Sequence, residues 1–201
     1  WTALPILSKF FFKVFFFFIL LTHSISAENK ILNIGSRDAK ITIKVFSSLT
    51  CPHCANFHKN IFENLKKEYI DKDIVKFEHH SFPLDLAALN AEIIIRCHND
   101  NNKKFQLLGE IYKKQNQWAV GSDINIINES IKKIGLDSGL SNKKMDSCLS
   151  SEIAQDEILN ERIEAQKKYK IQSTPTIFIN KKQYEGSHEY KKFKKAIDKL
   201  L

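Results

Sequence analysis

Strand-like and helix-like patterns follow one another along this chain in an order that few architectures can satisfy. Ile41-Thr42-Ile43-Lys44-Val45-Phe46 alternates and is rich in β-branched residues, which predicts a strand. Phe57, Ile61, Phe62, Leu65 and Tyr69 then recur at steps of three and four, which predicts a helix from Pro52 to about Tyr69. Ile74 to Phe82 reads as a second strand. From Leu84 to about Tyr169 the pattern is helical. Its apolar stripes are Leu86, Leu89, Ile93 and Ile94, then Phe105, Leu108, Ile111 and Tyr112, then Ile124, Ile127, Ile131 and Ile134. A long helix over roughly Glu152 to Tyr169 closes this block. Strand character returns at Thr176-Ile177-Phe178-Ile179, and a turn at Asn180-Lys181-Lys182 leads to a short strand. The chain ends in a helix carrying Tyr190, Phe193, Ile197 and Leu200. A sheet assembled from strands near both ends, with a helical block between them, is α/β architecture with an all-α insertion at about residues 84–169.

The N-terminal stretch has the pattern of an export signal. Lys9 precedes an apolar run from Phe10 to Leu21, interrupted by Lys13, and small and polar residues follow to Ala27. The expected leader is residues 1–27, cleaved after Ala27, although Ile25 departs from the small residue that such a site prefers. The run is shorter than the roughly 20 apolar residues of a membrane span, so an uncleaved anchor is the lesser expectation. The whole chain carries a formal charge of +8, which falls to +6 without Lys9 and Lys13. The remaining lysines are scattered over helical segments as a solvated face would be, and nucleic-acid binding is not expected. Four cysteines, Cys51, Cys54, Cys97 and Cys148, suit an exported chain in a compartment where disulfides persist.

Cys51-Pro52-His53-Cys54 falls where the first strand ends and the first helix begins. Proline is well placed in a first helical turn, because the N–H it lacks has no helical partner there. Unpaired N–H groups and the positive end of the helix dipole favour a thiolate at Cys51, and a donating His53 would add to this. Cysteines in such settings titrate at about 3.5–7.5 instead of about 8.5. A C-x-x-C pair can also be half of a zinc site, but Cys97 and Cys148 do not form the second close pair that such a site needs. His79 and His80 are neighbours on a strand and point to opposite faces, so they read as ordinary strand residues. No metal and no cofactor are expected. At Ser173-Thr174-Pro175-Thr176 the residues alone favour an ordinary trans proline turn before a strand.

The stretch Ser48-Leu49-Thr50-Cys51-Pro52-His53-Cys54-Ala55-Asn56-Phe57-His58 resembles the active-site segment of DsbA-like periplasmic thiol oxidoreductases, and the set closely resembles their alphaproteobacterial branch. Phe82-Pro83-Leu84-Asp85, Ser173-Thr174-Pro175-Thr176 and Tyr184-Glu185-Gly186 fit the same pattern, so the resemblance runs from about Ile34 to Leu201. It implies a thioredoxin fold with a helical insertion. It implies Cys51 as the nucleophile, Cys54 as its buried partner, and Pro52 and His53 as the residues that set the redox poise. Pro175 would be a cis-proline against the cysteine pair, and Thr174 would offer backbone to an extended substrate by strand addition. Cys97 and Cys148, which the residues alone leave as either a bridge or two buried thiols, would form a second, non-catalytic disulfide. One departure stands out: Val45 occupies a position, six before Cys51, where many relatives carry a buried acid.

The expected activity is that of a periplasmic dithiol oxidase. It would act as a monomer on unfolded or reduced exported proteins and be reoxidised by a membrane quinone-linked partner of the DsbB type. A disulfide isomerase or reductase on the same fold is the second expectation. Such relatives carry a dimerisation domain before the thioredoxin unit, and few residues lie between Ala27 and the first strand. A non-catalytic binding or metal-carrying module is the third, and it requires an ordinary thiol pKa at Cys51.

Overall fold

The computed structural model describes residues 31–201; the expected leader, residues 1–27, lies outside them. The described residues contain a five-stranded sheet of β1 (Leu32–Ile34), β2 (Ile41–Ser47), β3 (Val75–Ser81), β4 (Thr176–Ile179) and β5 (Lys182–Gln183), in the order β1-β3-β2-β4-β5. β2 and β3 are parallel, with Val45 opposite His79, and the other neighbours are antiparallel. Strands from the two ends of the described chain therefore flank the central β2, with β3 and β1 on one side and β4 and β5 on the other. β1 carries no sequence signal, because Leu32-Asn33-Ile34 is too short to show a period. It ends at Gly35, where φ is +100° and a Cβ would strike the Val75 carbonyl.

The crossover from β2 to β3 is one helical stretch, α1 (residues 52–70). It starts as an α-helix at Pro52–Phe57 and contains π-helical turns at His58–Phe62 and Lys66–Ile70. Phe57, His58, Ile61, Phe62, Leu65, Tyr69 and Ile70 are all buried. At 3.6 residues per turn these positions would spread over more than half of an unbroken helix. The wider turns draw them together, where Phe62 meets Phe77 of β3, Phe57 meets Phe193 and His58 meets Tyr112.

Between β3 and β4 come α2 (Leu86–Arg96), α3 (Asn101–Lys113), α4 (Gln115–Trp118), α5 (Ile124–Asp137), α6 (Asn142–Leu149) and α7 (Glu152–Tyr169); α8 (Tyr190–Asp198) follows β5. Side chains of Asp85, Asp100, Asp123, Ser141 and Ser151 accept backbone N–H bonds at the starts of α2, α3, α5, α6 and α7, so punctuation written in the sequence sets these boundaries. The stripes on α3 and α5 enter the main core, which contains Phe105, Leu108, Ile111, Ile127, Ile131 and Ile134. The stripe on α2 is narrower than expected. Ile94 enters the main core and Leu89 and Ile93 pack on Ile158 of α7, but Leu86, in the first turn, is 55% exposed. In α8 Phe193 and Ile197 are buried, whereas Leu200 lies beyond the helix and is exposed. Among the described residues no helix is long and apolar enough to cross a membrane.

Candidate redox site

β2 delivers the chain to the site. After Ser47 the backbone turns through Ser48-Leu49-Thr50, and Cys51 becomes the N-cap residue of α1 with extended backbone (φ −79°, ψ 119°). The Cys51 carbonyl accepts from the N–H groups of Cys54 (3.1 Å) and Ala55 (3.2 Å). Its side chain makes no capping bond, and the first turn contains no acidic residue. The sulfur is thus left at the positive end of the helix with no carboxylate there to compete with it.

β4 brings the second half of the site. It runs antiparallel to β2 and places Thr176 opposite Phe46, so the segment before β4 lies beside the end of β2. The Thr174–Pro175 peptide bond in that segment is cis. The Cys51 thiol donates to the Thr174 carbonyl at 3.2 Å. The Thr174 hydroxyl is buried and has no hydrogen-bond partner. The carbonyl suits the thiol form of Cys51 and the hydroxyl suits the thiolate.

The two sulfurs are strongly unequal. Cys51 is brought down from 9.0 to about 5, first by the Cys54 thiol, which donates to it. Burial opposes this, and the Thr174 hydroxyl and the N–H groups of Cys54 and His53 reinforce it. Cys54 moves far upward, because burial disfavours its anion and the neighbouring Cys51 sulfur adds to the effect. Pro52 and His53 between them are exposed. One reactive thiolate and one thiol that holds its proton is the arrangement required for directional disulfide exchange.

Gln115 and residues of two motifs quoted for the resemblance hold the loop before Cys51. Gln115, opening α4, donates from Nε2 to the Leu49 carbonyl (2.7 Å) and the Cys51 carbonyl (3.1 Å). Asp85 caps α2 with Oδ1 and accepts from the Thr50 hydroxyl at Oδ2 (2.7 Å). Ser48 Oγ accepts from the Leu84 N–H at 3.3 Å and lies 3.1 Å from Thr50 Oγ1. The segment Phe82-Pro83-Leu84-Asp85 therefore braces the redox loop. No signal in the sequence marks Gln115.

Val45, in the position where an acid had been considered, is buried in the same apolar core as Cys51 and Cys54. Charge is buried elsewhere. His79 and His80 are not ordinary strand residues: His79 pairs with Glu92 (3.0 Å) and His80 with Glu78 (3.1 Å), all four buried. Cys97 and Cys148 form a disulfide with a Cα–Cα distance of 6.1 Å, tying the end of α2 to α6 inside the helical block. Among the described residues no group of His, Cys, Asp or Glu is arranged to hold a metal ion.

A thioredoxin fold carrying an asymmetric dithiol beside a proline loop defines the class. Comparison with known proteins narrows it. The family model described as thioredoxin matches residues 26–199. A protein of Rickettsia bellii provisionally named protein-disulfide oxidoreductase is 30% identical over 181 residues, covering 90% of this chain and 68% of its own length. The chain spans 63% and 60% of the similar proteins from Rickettsia typhi and Rickettsia prowazekii. Disulfide bond formation protein D of Bacillus subtilis is 28% identical over 177 residues, covering 84% of this chain and 76% of that protein. The crystal structure of alpha-DsbA1 from Wolbachia pipientis superposes with a TM-score of 0.79 at 28% identity, over 87% of this chain and 92% of that one. The chain belongs to the thioredoxin family, in its DsbA-like group.

Proposed function

We propose that this protein is a thiol–disulfide oxidoreductase that donates disulfides to exported proteins in the periplasm. The observation that supports this best is the Cys51 sulfur at the head of α1, 3.2 Å from the Thr174 carbonyl, titrating at about 5 while Cys54 keeps its proton. Stabilising the dithiol form in this way makes the disulfide form an oxidant.

In the oxidised protein Cys51 and Cys54 share a disulfide. A substrate thiolate attacks the Cys51 sulfur, the Cys51–Cys54 bond breaks, and Cys54 leaves with the electron pair and takes up a proton. A second substrate thiolate then attacks the substrate sulfur of the mixed disulfide and expels Cys51 as a stable thiolate. The substrate loses two electrons and the enzyme gains them. Thr174 and Pro175 lie beside the mixed disulfide, where an extended peptide can add to the chain edge through backbone hydrogen bonds, a mode that tolerates many sequences. Pro52 and His53 set the poise from the exposed side. A membrane quinone-linked protein of the DsbB type accepts the two electrons and restores the disulfide. The Cys97–Cys148 bridge acts structurally.

Purified oxidised protein, incubated with a reduced, unfolded substrate, is expected to form substrate disulfides, and Cys51→Ala is expected to form none. No net oxidation by the wild-type protein, or equal behaviour of the two, would overturn the proposal.

A further inference from the structure

Lysines that look scattered along the chain are gathered by the fold on one side of it. In α8, Lys191 and Lys195 lie four residues apart, and Lys199, the C-cap residue with helical backbone, continues the row. Phe193 and Ile197, both fully buried, fall midway between them, so the lysine row lies opposite the face that enters the core. Lys191, Lys192, Lys195 and Lys199 are all exposed. Lys192 pairs with Glu189 at 3.4 Å, whereas Lys191, Lys195 and Lys199 make no ion pair among the described residues. The β4–β5 turn extends this surface. Asn180 exchanges two hydrogen bonds with Thr42, at 2.8 and 2.7 Å, which sets the exposed Lys181 and Lys182 beside the start of β2. Lys40, also exposed, stands just before that strand and donates to the Leu201 carbonyl, so the end of α8 and the turn meet there. Leu200 and Leu201, 43% and 54% exposed, sit at the same junction. Few carboxylates oppose these charges. Asp198 is engaged by Tyr69 and Lys194 and Glu189 by Lys192; Glu185 and Asp38 are exposed acids of the neighbouring loops, and Arg37 adjoins Asp38.

We infer that this lysine face, with Leu200 and Leu201 at its end, docks the protein on an anionic phospholipid surface. A bilayer presents many negative groups with no fixed geometry. Ammonium groups on flexible stems act as point charges and suit such an array, whereas recognition of a single carboxylate in a fixed place favours the arginine fork, and the row on α8 contains no arginine. Basic residues clustered on one helix face are the usual footprint of anionic lipid binding, and exposed leucines beside them find apolar surroundings at the acyl boundary that water does not offer. His188, just before α8, lies against Phe57 of α1 with ring centroids 6.2 Å apart. Docking through α8 therefore brings the flank of the redox helix to the membrane. The inference does not depend on the redox reading, because lipid binding is measured without turnover.

The test is co-sedimentation with vesicles at pH 7.4, using the chain from Glu28 onward. This chain contains every element described above and lacks the apolar run Phe10 to Leu21, whose own affinity for lipid would mask the patch. The protein should bind vesicles containing 30% phosphatidylglycerol in phosphatidylcholine, leave pure phosphatidylcholine vesicles in solution, and lose binding in 1 M salt, where the screening length falls to ~3 Å. Each lysine near an anionic surface strengthens partitioning by about fivefold, so Lys191→Gln, Lys195→Gln and Lys199→Gln together should weaken it by about a hundredfold. Lys103→Gln, Lys133→Gln and Lys143→Gln remove the same net charge from exposed positions of the helical block and should leave binding near wild type. Absence of binding to the anionic vesicles, equal binding to both kinds, or equal losses in the two triple variants would overturn the inference. Leu200→Ser with Leu201→Ser should weaken vesicle binding and leave binding to polyglutamate unchanged; equal effects on both would assign the face to an acidic polypeptide and overturn the lipid assignment.

Discussion

Replacing Arg96 by Met removes the cation that sits between the buried Glu92 carboxylate and the partly buried one of Glu161. Glu92 is 1% exposed and pairs with His79 and Arg96; Glu161, with 11% side-chain exposure, receives a 2.6 Å bond from the same guanidinium. Breaking a buried pair by deleting one member typically destabilises by about 3–5 kcal/mol, because the remaining charge stays buried. Against the effect of burial, the carboxyl of Glu92 is held at about 2 instead of an ordinary 4.5, first by His79 and then by Arg96, so at about 1.36 kcal/mol per unit the two together contribute roughly 3 kcal/mol and Arg96 a part of it. Because the folded value lies below the unfolded one, this stabilisation is full above about pH 4.5 and is lost as pH falls toward 2. Urea unfolding followed by circular dichroism at pH 7 should therefore show Arg96→Met destabilised by about 3 kcal/mol. The gap between wild type and variant should narrow below pH 4.5, where protonation removes the charge that Arg96 neutralises. A loss under 1 kcal/mol at pH 7, or a gap that stays constant down to pH 3, would refute the reasoning.

Other consequences of the site can be measured separately. With Cys51 ionised above about 5 and Cys54 protonated, reduction takes up one proton above that pH and two below it, so the potential should fall by about 30 mV per pH unit above pH 5 and about 60 mV below; a single slope across pH 4–8 contradicts this. Cys97→Ala with Cys148→Ala opens a loop closed at a separation of 51 residues and should cost roughly 4 kcal/mol in the chain-entropy model, read by denaturant titration, with the Cys51 titration unmoved. Gln115→Ala removes the side-chain bonds to the Leu49 and Cys51 carbonyls and should cost about 1–2 kcal/mol while exposing the redox loop to faster hydrogen exchange; unchanged exchange there would remove its bracing role.

The βαβ and ββα halves, the helical block and α7 were legible in the sequence, because their apolar periods are long and their caps are marked by Asp and Ser. The cysteine pair was legible because its chemistry depends on one local fact, a sulfur at a helix start. What stayed hidden depends on contacts distant in sequence. β1 exists because His79 and Phe77 give three residues something to pair with. Gln115 matters because α4 folds back over residues 49–51, and no pattern around it says so. His79 and His80 looked ordinary because alternation along a strand reveals which face a side chain takes, not what waits there. Glu92 comes from α2 and Glu161 from α7, and only the assembled core turns two histidines into ion pairs.

The central claim is that Cys51 is an anion at neutral pH, held so first by the Cys54 thiol that donates to it and then by Thr174 and the free N–H groups at the head of α1. Ultraviolet titration of the thiolate in the reduced protein, with Cys51→Ala as the blank, measures this directly. The absorbance should rise with a midpoint of about 5. A midpoint near 8.5, the ordinary cysteine value of about 8.5, would contradict the account.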